Sequence, residues 1–212
     1  MSESRKLIPT VALRGMTIMP DTIIHFDLSR QKSILAVEQA MMQNQTIFLV
    51  AQKDMDVKEP GFSDVYHMGT IANIRQVIKL PNNIVRVLVE GIARAELFAF
   101  EDIDEYLLAD VVIVDASAVD ISDAEAEAMT REIMELFLQY TTYYPKVGKA
   151  VGRQLAEVHD LGKLLDQIVS NIPLSFTNRQ SVLEKDELKA RFHVVKEILT
   201  QEVTVAKIRG EL

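Results

Sequence analysis

Apolar and polar positions alternate along most of the first half of the chain, which is the pattern of strands that bury one face. Alternation runs through residues 74–80, breaks at 81–83 and resumes over 85–89, so this stretch predicts a long hairpin. Gly91 lies in the continuing second strand, where a missing side chain usually marks a bulge or bend that lets a sheet curl. We therefore predict a curled, barrel-like sheet.

The same pattern predicts six strands and one helix before residue 115. The strands are expected at residues 7–13, 22–28, 46–51, 69–80, 84–98 and 106–114. Apolar residues at three- and four-residue spacing predict the helix over residues 31–43, with Asp27 and Ser29 available to cap its start. The first half of the chain is therefore expected to be mostly β.

Helical periodicity replaces alternation near residue 115, which predicts two domains, residues 1–115 and 116–212. Ser122 and Glu125 form a capping-box pattern that begins a helix. The other helices are expected at residues 146–158, at 161–171 with Asp160 as its cap, from a Thr177 and Gln180 capping box, and from Asp186 as a cap to about residue 209. The last of these would be about 36 Å long, which is long for so small a domain.

Charge and composition narrow the classes of partner. The net charge is −8, with 11 basic against 16 acidic residues up to residue 115 and 12 against 15 beyond it. Neither half is basic, which argues against a nucleic-acid partner. The chain has no cysteine, no signal-peptide pattern at its start and no run of roughly 18 uncharged apolar residues. We therefore expect a cytoplasmic protein with no membrane partner.

A search for chemistry finds no catalytic pattern. The four histidines are scattered without metal-ligand spacing, and the sequence has no glycine-rich phosphate loop, dinucleotide fingerprint or serine-nucleophile elbow. We therefore assign no catalytic residue and no metal ligand to this chain.

Five residues are assigned structural roles. Gly15 is expected to supply a backbone angle that other residues avoid, and the neighbouring Arg14 has five donors with which to hold carbonyls or a carboxylate. Glu90 has the spacing to pair with either Arg94 or Arg14. The complete set of structural positions is Arg14, Gly15, Gly69, Gly91 and Arg94.

Several short segments occur in an order that is specific as a set. They are LRG at residues 13–15, IFLVAQKD at 47–54, EP at 59–60, GT at 69–70, KLP at 79–81 and RVLVEG at 86–91. Together they resemble the N-terminal domain of the bacterial ATP-dependent Lon protease. The helical half resembles it more loosely, at residues 172–174, 180–184 and 197–202. Ala12 is a departure, because the family usually has proline before Leu-Arg.

The resemblance implies an α+β fold, with a β-rich PUA-like pseudo-barrel followed by a helical subdomain that ends in a long helix. In the family, the ATPase motor and the Ser-Lys peptidase lie downstream, so ATP and Mg are implied only for those domains and no enzymatic activity is expected of this segment. The family uses this region to capture unfolded, damaged or degron-bearing proteins and to support ring assembly.

We hypothesise that capture uses apolar residues near loops and turns, because methionine and other adaptable side chains suit surfaces that accept many partners. The candidates are Met16, Ile18, Met19, Leu80, Pro81, Tyr143 and Tyr144. Burial in the core is the alternative for each. A second hypothesis is a mainly structural module that binds other copies of itself through its long last helix. A third, an enzyme or RNA-binding module on the same fold, is disfavoured by acidity and missing site residues.

Overall fold

A computed structural model describes residues 5–114 and 120–212 of the protein. The chain divides into two compact units, Met1–Asp115 and Ala116–Leu212, which we call the N-terminal unit and the helical unit. The predicted boundary residues, 115 and 116, lie outside the described ranges.

The described part of the N-terminal unit, residues 5–114, contains six strands and one α-helix, as predicted. The strands are β1 Arg5–Leu13, β2 Ile23–Leu28, β3 Thr46–Ala51, β4 Met68–Leu80, β5 Ile84–Phe100 and β6 Leu107–Ile113. The helix, α1 Gln31–Met42, lies in the connection between β2 and β3. Arg30 precedes α1 and provides no side-chain cap. The predicted capping role of Asp27 is wrong, because its carboxylate accepts hydrogen bonds from Arg86.

The six strands form one sheet in the order β2-β5-β4-β3-β1-β6. The strand β6 also pairs with β5, so five strands close into a barrel and β2 remains as an edge strand. Among these described strands, only β1 and β3 pair in parallel; the other pairs are antiparallel. The first half of β5 carries β2 and its second half carries β6. The predicted barrel-like sheet is therefore confirmed.

A bulge in β5 lies next to Gly91, where a bend was predicted. Ile71 pairs with Ala93 but Ala72 pairs with Gly91, which leaves Ile92 as the extra residue. Gly91 N donates to Thr22 O at 2.8 Å, and the Gly91 carbonyl accepts from Asp21 N at 2.9 Å. The segment before β2 therefore crosses directly over the backbone of Gly91.

The strands β1 and β3 are buried on both faces, because each contributes to two core clusters. On one face, Ile47 and Leu49 pack in a cluster that includes Val37 of α1. On the other face, Phe48 and Val50 pack in a second cluster with residues of β5 and β6. This explains the continuous apolar run in β3.

Over residues 120–212, the helical unit contains five helices. They are α2 Asp123–Tyr143, α3 Pro145–Ala156, α4 Leu161–Asn171, α5 Phe176–Leu183 and α6 Leu188–Glu211. Two of the predicted caps are confirmed: Ser122 Oγ accepts from Glu125 N, and Asp160 Oδ1 accepts from Lys163 N at 2.9 Å. No helix in the described ranges has both the length and the apolar character needed to cross a membrane.

Two other predicted caps are wrong. Thr177 lies inside α5, and Ser175 caps this helix by accepting from Asn178 N at 3.2 Å. Asp186 does not cap α6; instead, Asp120 Oδ1 accepts from Leu188 N at 3.1 Å. The partner of Leu188 is 68 residues away in the chain, so a local motif search misses it.

Tyr140 of α2 gives the helical unit an expected sensitivity to alkaline pH. Burial, followed by the nearby Tyr144 and Glu202, raises the pKa of Tyr140 to about 12. The neutral phenol is therefore favoured in the folded unit. Its contribution to the free energy of unfolding is complete below about pH 10, the ordinary tyrosine pKa, and is lost as the pH rises through 12.

We expect Tyr140→Phe to reduce the fall in the free energy of unfolding between about pH 10 and 12, because the phenol that ionises on unfolding is removed. Urea unfolding followed by circular dichroism at several pH values measures this. Tyr143→Phe is the matched control, because Tyr143 is in the same helix but exposed. Equal pH dependence in wild type and Tyr140→Phe contradicts the prediction.

Candidate functional site

The outward side of the β4–β5 hairpin carries an apolar stripe. Along β5, Val85, Val87 and Val89 are buried, so the residues between them point outward. Pairing places Leu80 opposite Ile84, Ile78 opposite Arg86 and Gln76 opposite Leu88. Four apolar side chains therefore share this side, and we call them the outer hairpin face: Ile78, Leu80, Ile84 and Leu88.

This face lies in the part of the sheet that continues beyond β3. The last β4 residue that pairs with β3 is Asn73, whereas β4 continues to Leu80. Here the described sheet is three strands wide, in the order β2-β5-β4. Ile78 is 40% exposed, and Ile23 on the neighbouring β2 is 65% exposed. Leu80, Ile84 and Leu88 are half-buried, so the outer hairpin face is partly accessible within its unit, most of all at Ile78.

Ion pairs border the outer hairpin face. Arg86 Nε donates to Asp27 Oδ1 at 2.8 Å, across β5 and β2. The hydrogen bond from Arg86 lowers the pKa of Asp27 and so favours the charged form of this carboxylate. Arg75 pairs with Glu90 across β4 and β5. The charges beside the stripe are thus paired, which leaves its apolar side chains as the groups without a polar partner.

The hairpin tip is a turn of fixed conformation. Asn82 and Asn83 have φ angles of 66° and 58°, in the left-handed region that asparagine tolerates better than most residues. Pro81 precedes them and is exposed. The tip therefore presents Pro81 at one end of the outer hairpin face.

The structure places Ile18 and Met19 in the core. They are 2% and 1% exposed, respectively. Thr70 Oγ1 donates to Ile18 O at 2.6 Å, and the backbone of Met19 lies against Gly91. Neither side chain can contribute to a binding surface, contrary to the hypothesis. Met16 is half-buried and packs against the cluster that contains Ile18.

Tyr143 and Tyr144 lie at the end of α2, in the helical unit. Tyr143 is 42% exposed. Tyr144 is half-buried and its ring stacks on that of Tyr140, with 4.7 Å between centroids. Tyr144 is therefore partly committed to packing, and Tyr143 is the accessible member of the pair.

The predicted partner of Glu90 is wrong. Glu90 pairs with Arg75, because the second bulge of the hairpin leaves Arg75 as the extra residue on β4. Arg14 is exposed, whereas Arg94 is buried with 6% exposure.

The backbone geometry explains why glycine occupies two positions of the structural set. Gly15 has a φ of +66°, as expected for a position that other residues avoid. A Cβ at Gly69 would lie 2.5 Å from Leu49 O and 2.6 Å from the ring of Phe48. Gly69 therefore permits β4 to approach β3 closely.

Sequence reasoning identified Leu80 and Pro81 but missed Ile78, Ile84 and Leu88. The alternation in β5 could have identified two of them. Val85, Val87 and Val89 occupy one side of the strand, so Ile84 and Leu88 must lie on the opposite side. In the described ranges, no group of three or more His, Asp or Glu side chains is arranged to hold a metal ion.

Comparisons with known proteins identify the family. The model of the ATP-dependent protease La (LON) substrate-binding domain matches residues 7–201. The Lon protease of Lachnoclostridium phytofermentans is 39% identical over 212 residues, which are 100% of this chain and 26% of that protein. The Lon protease of Clostridioides difficile is 36% identical over 208 residues, with 97% of this chain and 26% of that protein covered. The chain spans about a quarter of the length of these relatives.

Solved structures show the same fold. The N-terminal domain of Mycobacterium avium complex Lon protease has a TM-score of 0.74 and 17% identity, covering 92% of this chain and 98% of that one. The Lon N-terminal domain protein from Xanthomonas campestris has a TM-score of 0.61 and 12% identity, with the same coverage. Fold, sequence similarity and family model agree, and the chain belongs to the Lon substrate-binding domain family.

Proposed function

We propose that this chain captures unfolded, damaged or degron-bearing polypeptides for a Lon-type protease, and that the outer hairpin face is part of the surface that holds them. The observation that carries the proposal is the apolar stripe formed by Ile78, Leu80, Ile84 and Leu88 on an accessible strand face. A sheet that faces water on one side normally alternates with polar residues there. A contiguous apolar stripe that stays at least partly exposed is typical of interaction surfaces.

The chemistry of the face suits partners that have lost their fold. Unfolded chains expose apolar side chains that folded proteins bury, and covering both apolar surfaces together is favourable. A backbone stiffened by cross-strand pairing keeps the stripe from collapsing onto itself. The neighbouring charges are already paired, so they make little demand on a partner's sequence. Tyr143 of the helical unit and Met16 remain further candidates.

In this proposal the chain contributes binding, while ATP hydrolysis with Mg and peptide cleavage belong to other parts of a Lon-type protein in the cytoplasm. The support is the family match over residues 7–201, together with the length of the relatives, of which this chain spans about a quarter.

Replacing Ile78, Leu80 and Ile84 together by threonine is expected to weaken binding to an unfolded protein by about tenfold or more. A tenfold loss of affinity corresponds to only about 1.4 kcal/mol, and the variant loses three apolar contacts. Threonine keeps a high strand propensity, so the thermal midpoint should stay nearly unchanged. Amide NMR titration with an unfolded protein, and separately with its folded form, measures the binding and maps the residues involved.

Gln76→Thr is the matched control, because Gln76 is exposed on the same side of β4 and opposite Leu88. It should bind as wild type does. Unchanged binding by the triple variant, or equal shifts with folded and unfolded protein, contradicts the proposed role of the outer hairpin face.

Self-assembly is a second candidate function, favoured by the end of α6. The α6 residues Phe192, Val195 and Leu199 are buried, but Val205 and Ile208 near its end are 38% and 52% exposed. These side chains offer apolar contacts to another copy of the chain. An increase of molar mass with concentration in light scattering, abolished by Ile208→Lys, supports assembly; a constant monomer mass contradicts it for the isolated chain.

A further inference from the structure

A cleft of about 330 Å³ opens beside the first turn of α1. One part of its wall is polar and basic, with Arg30, Lys32, Ser33 and Lys58; another part is apolar, with Ala12 and Pro60. None of these residues belongs to the outer hairpin face. The cleft is therefore separate from the outer hairpin face and differs from it in chemistry.

The cleft contains donors that nothing in the described chain satisfies. Ser33 is 6% exposed and its hydroxyl has no hydrogen-bond partner among the described residues. The amide groups of residues 31–33 also lack a described partner, and Arg30 makes no side-chain cap. The first amides of a helix have no partner within the helix, so these amides and the Ser33 hydroxyl are donors open to an acceptor from outside the chain.

The cleft is also a local concentration of positive charge in a chain of net charge −8. The guanidinium of Arg30 donates to the carbonyls of Ala12 and Lys58, and no carboxylate in the described chain pairs with it. Burial, and then the charge of Arg14, lowers the pKa of Arg30. Lys32 and Lys58 add two exposed cations, against the single acidic lining residue Glu59. An anion in the cleft would relieve this repulsion.

We propose that the cleft binds the C-terminal carboxylate of a polypeptide, with the amides of the first turn of α1, Ser33 and Lys32 around the carboxylate and the last side chain against Ala12 and Pro60. A carboxylate only accepts hydrogen bonds, which matches the amides, the Ser33 hydroxyl and the cations on the polar side of the cleft. The apolar wall favours an anion carried on an apolar group over a fully hydrated inorganic ion. This inference rests on the proposed function and deepens it, because it names a chain end as the feature recognised.

The two surfaces then read different properties of a substrate. The outer hairpin face accepts apolar segments from anywhere in an unfolded chain, whereas a carboxylate cleft recognises a feature that each polypeptide has once. Two contacts on one unit act together, because the second forms at a high effective concentration once the first is made. A substrate with an exposed apolar C-terminus would accordingly be held more tightly than its internal segments alone.

Two peptides of identical sequence test the proposal, one ending in a free leucine carboxylate and the other in leucine amide. The free acid should bind about tenfold more tightly to the wild-type chain, equivalent to about 1.4 kcal/mol. Lys32→Glu combined with Lys58→Glu should abolish this preference, and Ser33→Ala should reduce it by about threefold, within the range of one hydrogen bond. Isothermal titration calorimetry at two salt concentrations measures all the affinities.

Lys6→Glu is the control, because Lys6 is an exposed lysine of β1 that does not line the cleft. It should keep the full preference for the free acid. Equal affinity for acid and amide in wild type, or a preference that survives in the double variant, overturns the proposal. Inorganic phosphate that binds more tightly than the peptide also overturns it and reassigns the cleft to a phosphate ligand.

An unfolded protein with a blocked C-terminus separates this proposal from the broader function. If that protein binds and the acid preference is absent, the cleft proposal fails and substrate capture stands. If neither the peptides nor the unfolded protein bind, both fail. If the wild-type chain binds the free acid more tightly than the amide and the double variant does not, the cleft proposal is supported.

Discussion

Gly91→Ala is expected to lower the free energy of unfolding of the N-terminal unit by about 3 kcal/mol, the upper part of the usual range for forced overpacking. A Cβ at this position would lie 2.3 Å from the carbonyl oxygen of Met19 and 3.2 Å from Pro20 Cα. Both are main-chain atoms, so no side-chain rotation can relieve the clash. The segment before β2 also makes two backbone hydrogen bonds to Gly91. Moving this segment away from β5 would therefore break them.

Thermal and urea unfolding followed by circular dichroism measure the effect. Gly61→Ala is the matched control in the same unit, because a Cβ there would meet only Asp64 Oδ2, at an ordinary contact distance of 3.7 Å. The control should be within about 0.5 kcal/mol of wild type, as is usual for surface substitutions. A Gly91→Ala variant as stable as Gly61→Ala contradicts the role assigned to this close approach.

Asp166→Ala is expected to destabilise the helical unit by about 4 kcal/mol, because removal of one partner leaves the other charge buried. Asp166 of α4 and Arg191 of α6 are 2% and 7% exposed, and Arg191 Nη1 lies 3.8 Å from Asp166 Oδ2. Arg191 also donates to Lys185 O at 2.9 Å and so holds the segment that precedes α6. Loss of its counterion therefore affects the connection as well as the helix pair.

Glu132→Ala is the control, because Glu132 pairs with Lys196 in the same unit and both side chains are almost half exposed. Exposed pairs contribute about 0–1 kcal/mol, so this variant should change little. Combining Asp166→Leu with Arg191→Met should recover part of the stability lost in Asp166→Ala, because no unpaired charge is then buried. A double variant less stable than Asp166→Ala contradicts this account.

Much of the fold could be predicted because its signals are local. Strand alternation and helix periodicity repeat over a few residues, and they located the six strands and the six helix starts to within one or two positions. The cap of α6 could not be predicted in this way, because Asp120 reaches Leu188 only after the chain has folded. The pairing of Glu90 with Arg75 likewise depends on a bulge, which changes the register by one residue.

The candidate site was predicted in part. Leu80 and Pro81 were accessible to sequence reasoning because a turn lies beside them, and turns are exposed. The same reasoning failed for Ile18 and Met19. An irregular segment rich in apolar residues has the same sequence pattern whether it is buried in the core or lies on the surface. Ile18 and Met19 are buried because Gly91 of β5 has no side chain, which allows the backbone of their segment to pack directly against β5. The cleft beside α1 was missed because its lining comes from segments far apart in the chain.

The pairing of β1 with β6 has a consequence for how the protein folds during synthesis. The first strand to be made borders the last strand of the unit, with Arg5 opposite Val112, so about a hundred residues must emerge before this ladder can form. Until then, β1 and the second half of β5 each have one unpaired edge, and such edges invite pairing with other chains. Contacts between residues so distant in sequence slow folding. The nascent unit therefore has a long window in which it is itself an aggregation-prone, incompletely folded chain.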